Sequence, residues 1–164
     1  MNYTRLLMAQ VLLAGFIFAQ APPVAVLSVQ GDIATPLMLT ASDLAKMPRE
    51  TVSVPAPDGS RIVYQGVSLF AVLEKAGVPT GGKLRGKALA SYVLAKARDG
   101  YQVAFTLGEL DPQFGNESIL IADTRDGKPL PDRQGPFRLV CPNDKEGARS
   151  VRMLETLEVV RLAK

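Results

Sequence analysis

The stretch Asp126–Arg152, DGKPLPDRQGPFRLVCPNDKEGARSVR, decides how the rest of the chain is read. It opens on an Asp-Gly turn and continues through a Pro- and Gly-rich segment. A short apolar strand follows, Phe137–Cys141, carrying the only cysteine of the chain. The stretch ends in a polar, basic loop, Asn143–Arg152. The segments before it read as scaffold that presents this loop, so what the loop binds is the functional question.

On its C-terminal side, Glu155–Leu162 reads as a closing strand. On its N-terminal side, the continuous apolar run Ser118–Ala122 reads as a central strand covered on both faces. Further back, Leu89–Ala97 and Tyr101–Phe105 form a hairpin about the Asp99-Gly100 turn, with Tyr101, Val103 and Phe105 on one face. Thr106–Leu110 is a single helical turn with Thr106 as cap. The apolar stripe Leu69, Val72, Leu73 predicts a helix that starts at Ser68 and stops at Gly77, with Pro79 beyond. Thr51–Pro55 and Ile62–Gln65 pair about Pro57-Asp58-Gly59. Thr40-Ala41-Ser42-Asp43 starts a short helix as a capping box, and Pro48 ends it. Val24–Ser28 reads as the first strand, and Ile33–Leu39 as a second strand broken by Pro36. Many short strands with a few short helices predict an α+β domain on mixed or antiparallel sheet.

Composition removes whole classes of chemistry. The 164 residues include no His and no Trp. Without His there is no Ser-His-Asp or Cys-His catalysis, no His-ligated haem, and most zinc sites are ruled out. A single Cys forms neither an internal disulfide nor a CxxC pair. The net charge of +3 is mild, Lys and Arg are spread along the chain, and aromatics are 6%. That pattern suits a local anion site, not a nucleic-acid face. The Gly81–Gly86 loop lacks the strand-GK[ST]-helix order of a phosphate cradle. Asp58, Asp99 and Asp126 each precede Gly and read as turn residues. Glu109 and Asp111, two apart on a short helix, splay away from each other.

Residues 1–21 predict a signal peptide, with an uncleaved anchor as the alternative reading. Met1–Arg5 carries one positive charge, Leu6–Phe18 is mostly apolar, and Ala19-Gln20-Ala21 offers small residues for cleavage after Ala19 or Ala21. The apolar run is short for a membrane span, which needs about 20 residues. The expectation is a periplasmic or secreted protein, with residues 22–164 as one domain and no span left after signal removal.

The order of these pieces resembles the oxidoreductase molybdopterin-binding domain, the fold of sulfite oxidases and of the periplasmic methionine sulfoxide reductase catalytic subunit. The matching segments are LTASDLAKMP, YQGVSLFAVLEKAGVP, ARDGYQVAFTLGEL, ILIADTRDGKPLP and GPFRLVCPNDKEGARSVRMLETLEV. The resemblance implies a sulfite-oxidase-type fold of mixed sheets with few helices. It also implies a molybdenum cofactor, held by a pterin dithiolene and one cysteine thiolate. On that resemblance Gly147, Arg149, Ser150 and Arg152 correspond to the family's pterin-holding loop, Arg138 and Lys145 add charge beside it, and Tyr101 stands where sulfite oxidases carry an active-site tyrosine. Glycine, free N–H groups and Arg forks suit a phosphate.

This chain departs from the family pattern in its ligands. The metal-binding cysteine belongs in Thr51–Tyr64, and TVSVPAPDGSRIVY has none. The family's pterin-contacting histidines, its dimerisation domain and any haem domain are also missing. Cys141 reads as a small core residue, not a ligand, and no metal-binding set is assigned. Two readings of the whole stay open. One is an exported molybdopterin-domain oxidoreductase that binds pterin or another small anion at Gly147–Arg152. The other is a cofactor-free periplasmic binding or partner module that has lost molybdenum ligation. Tyr101 likewise stays open between an active-site residue and a half-buried core aromatic.

Overall fold

The computed structural model describes residues 24–115 and 117–162. The predicted signal peptide lies outside the described residues. Ten strands and three short helices form two sheets. The first sheet contains β1 (Val26–Gly31), β2 (Leu37–Thr40), β5 (Ser91–Ala97), β6 (Gln102–Thr106) and β10 (Leu154–Arg161), in the order β2-β1-β10-β5-β6. Its pairings are antiparallel except β1 with β10. The second sheet contains β3 (Glu50–Pro55), β4 (Arg61–Ser68), β7 (Leu120–Arg125) and β8 (Lys128–Pro129) in sequence order, and β9 (Arg138–Val140) also pairs with β7. Mixed sheets with few helices are the architecture the sequence predicts.

One hydrophobic core joins the two sheets. It contains Leu27 and Val29 of β1, Val93 and Ala95 of β5, Leu157 and Val159 of β10, and Ile121 and Leu139 of the second sheet. Helix α2 (Leu69–Lys75) buries Leu69, Val72 and Leu73 in it, the stripe its spacing predicts. Strand period places the alternate residues of the second sheet on its other face. There Tyr64, Leu120, Ala122, Leu130 and Val140 make a second cluster, with Val52, Val54 and Ile62 half-buried against it. β7 is thus covered on both faces, which explains its unbroken apolar run. The second cluster is the floor of the site described below.

Local chemistry sets most boundaries. In α1 (Ala41–Ala45) Thr40 and Asp43 complete a reciprocal capping box. Thr106 Oγ1 accepts from the Glu109 N–H at 3.1 Å and starts α3 (Leu107–Leu110). Ser68 stands at the N-cap of α2 without a side-chain cap, and the first helical N–H, that of Leu69, donates to the Ile119 carbonyl at 2.9 Å. The second strand runs from Leu37, after the break that the sequence places at Pro36, because proline lacks the N–H a ladder needs. β5 starts at Ser91 because Gly86–Ala90 forms a 3-10 turn. Gly66 has a specific reason. A Cβ there would lie 2.0 Å from the Ile121 carbonyl oxygen, where the β4–β7 register shifts.

Candidate functional site

The loop between β9 and β10 is held at several points. Arg149 donates to both carboxylate oxygens of Asp144, at 2.6 and 2.8 Å, and to Glu109 Oε1 at 3.1 Å. Its guanidinium also lies 5.3 Å from the Phe105 ring centroid. These hydrogen bonds hold the Asp144 carboxyl below the usual carboxylate range. The Tyr101 hydroxyl donates to the Ala148 carbonyl at 2.7 Å. Ser150 Oγ accepts from the Cys141 N–H at 3.1 Å. Gly147–Arg149 takes one 3-10 turn.

Two lobes of a cleft meet beside this loop, and both are lined by Arg138, Gly147 and Ser150. The smaller lobe, about 340 Å³, adds Asp99, Tyr101, Ala148 and Arg152. The larger, about 470 Å³, reaches across to the β3–β4 hairpin through Val54, Pro55 and Ile62, and has Lys145 and Arg125 in its lining. The hairpin where the family pattern places a metal-binding cysteine therefore faces the basic loop, and its side chains there are apolar apart from the Tyr64 hydroxyl.

Arg138 sits between the lobes. Nη1 donates to Tyr64 Oη at 3.1 Å and to Gln134 Oε1 at 2.8 Å, and the guanidinium stacks on the Tyr64 ring at 5.2 Å. Nε is buried with no partner. Among the described residues Arg138 pairs with no carboxylate. Burial pulls its pKa below the ordinary arginine value, and repulsion from Arg152 and Arg125 adds to the effect. A half-buried cation beside two others, with no counter-charge of its own, is an arrangement that an anion stabilises.

The structure thus brings together Tyr101, Arg138, Gly147, Ser150 and Arg152 on one lobe, with Lys145 on the other. Arg149 lines neither lobe, and its guanidinium is spent on Asp144 and Glu109. Through these two contacts Arg149 shapes the loop. Gly147 keeps its place, although a Cβ there would meet nothing within 4 Å, so packing does not demand glycine. Glu109 and Asp111 are separated as spacing predicts; buried Asp111 accepts from the Gly81 and Gln113 N–H groups and ties down the Gly81 loop. Sequence reasoning missed Tyr64 and Gln134, which hold Arg138. The signal for Tyr64 was weak, because it lies in the β3–β4 register that sets Ile62 and Tyr64 opposite Val54 and Val52.

One mixed and one antiparallel sheet, their strand order and a cleft at the β9–β10 loop define a sulfite-oxidase-like molybdopterin-binding fold. The chain belongs to the oxidoreductase molybdopterin-binding domain family, whose model matches residues 21–163. Twenty-seven solved chains match. One is sulfane dehydrogenase SoxCD from Paracoccus pantotrophus, with TM-score 0.65 and 22% identity over 82% of this chain. The match spans 38% of that chain. No curated protein matches.

The donor set decides how far the family's cofactor fits. The cationic groups suit the anionic part of a pterin cofactor. A metal bond from the protein does not fit. No thiol stands on Thr51–Tyr64, the hairpin that faces the basic loop, and the sole thiol, Cys141, is 5% exposed, with burial pushing it up to about 12.

Proposed function

We propose that this chain is an anion-binding module on the molybdopterin-oxidoreductase fold, holding a phosphate-bearing pterin or another small anion without a protein–metal bond. The single observation that carries the reading is Arg138: half-buried, unpaired with any described carboxylate, and shared by both lobes of the cleft. Arg152 and Ser150 supply further donors, and Tyr101 braces the loop that presents them. No redox step is assigned to the protein's own residues. The apolar start at residues 1–21 supports export, which makes this a periplasmic or secreted module. A protein partner that receives or delivers the anion fits the same reading.

Calorimetric titration with inorganic phosphate at low salt tests it. The expected result is saturable binding that weakens about tenfold in Arg138→Gln and also weakens in Arg152→Gln, with folding verified by circular dichroism. Equal affinity in the parent and both variants would remove the reading. Binding should also weaken with added salt, as screening requires.

A further inference from the structure

We propose that the larger lobe takes an organic anion with an apolar body, its acidic head on Arg138 and its body against the β3–β4 hairpin. This rests on the anion reading above and names the class of ligand.

The walls and the charges support it separately. Val54, Pro55 and Ile62 present an apolar wall on one side, and Val140 and Pro142 continue it on the other. Val54, Ile62 and Val140 belong to the second hydrophobic cluster, so the wall is the exposed margin of a packed layer. Its volume of about 470 Å³ lies within the range of small-molecule sites. Inorganic phosphate has no surface to bury on such a wall, whereas an aryl or alkyl body does.

The charges orient the ligand. Arg138 Nη1 is engaged by Tyr64 and Gln134, while Nη2 makes no hydrogen bond among the described residues. The one carboxylate lining the larger lobe, Asp144, is gripped through both oxygens by Arg149, so its charge is compensated within the loop. Cys141 in the same lobe is a neutral thiol. The smaller lobe differs. Asp99 lines it, and its carboxylate accepts only the Tyr101 N–H among the described residues. An anion is therefore disfavoured at the Asp99 end. The head group sits at Arg138 and the body lies on the hairpin side.

Three probes test this on the folded full chain: 1-anilinonaphthalene-8-sulfonate, its uncharged relative N-phenyl-1-naphthylamine, and inorganic phosphate. The expected result is sulfonate binding about tenfold tighter than either of the others, displaced by phosphate. Val54→Asn should weaken the sulfonate about tenfold and leave phosphate unchanged. Should that variant not fold, Ile62→Thr makes the same test. Phosphate binding as tightly as the sulfonate, with neither variant moving either ligand, overturns the inference while the anion reading stands. Equal binding of the charged and uncharged dyes overturns it because the head group then contributes nothing. Absence of binding by both phosphate and the sulfonate sinks this inference and the anion reading together.

Discussion

Two arginines eleven residues apart have opposite fates (138 and 149). Arg149 is surrounded by carboxylates and an aromatic ring, and its charge is used within the fold. Arg138 has a phenol, an amide and no described acid. Sequence could name both as basic residues near the loop. It could not separate them, because the difference depends on Asp144 and Glu109 reaching one guanidinium and not the other. Replacing Arg149 by Gln should cost roughly 1 kcal/mol, since these pairs are partly exposed. It should also speed amide exchange across residues 143–152, as measured by mass spectrometry. Unchanged exchange there would show that the Asp144 and Glu109 contacts do not hold the loop. The pH dependence has a definite sign. Asp144 is depressed by Arg149, so its contribution is present above the ordinary carboxylate value of 3.8 and is lost as pH falls below it. Cys141 behaves oppositely. Its folded-state value, raised by burial from 9.0 to about 12, makes its contribution complete below pH 9.0 and lost as pH rises toward 12. The difference in stability between the parent and Cys141→Ala should therefore shrink over that window in denaturant titrations. Near neutral pH, Cys141→Ala should cost about 1 kcal/mol.

At the scale of elements, sequence pattern located nearly every strand and all three helices within a few residues. Period and capping chemistry are local, and local signals survive folding here: the stripe of α2, the Thr40–Asp43 box and the Thr106 cap all form. Ser68 keeps the N-cap position without a side-chain bond, and the strand after Pro36 is short because the ring blocks the ladder. Thr40→Ala should lower stability by about 1 kcal/mol in urea titrations. Gly66→Ala should cost more, about 3 kcal/mol, because the nearest atom to the new methyl is backbone and cannot rotate aside. A loss below that of Thr40→Ala would show that β4 shifts freely against β7.

For the whole molecule, the order of segments was more informative than any single motif. Five weak patterns in sequence pointed to the molybdopterin-oxidoreductase family, and the fold and the family match agree. The position facing the basic loop was legible too, as Thr51–Tyr64 without cysteine. What remained hidden was the two-lobed cleft, because it forms where the β3–β4 hairpin, β9 and the 141–150 loop converge across long sequence separations. The central claim is that this convergence keeps an anion site while supplying no protein ligand for metal. Its most direct test is molybdenum and pterin analysis of the chain purified from cells that load other molybdoenzymes. The account predicts that any molybdenum retained through gel filtration is unchanged in amount in Cys141→Ala, the variant without the sole thiol. One molybdenum per chain that is lost in Cys141→Ala would contradict it.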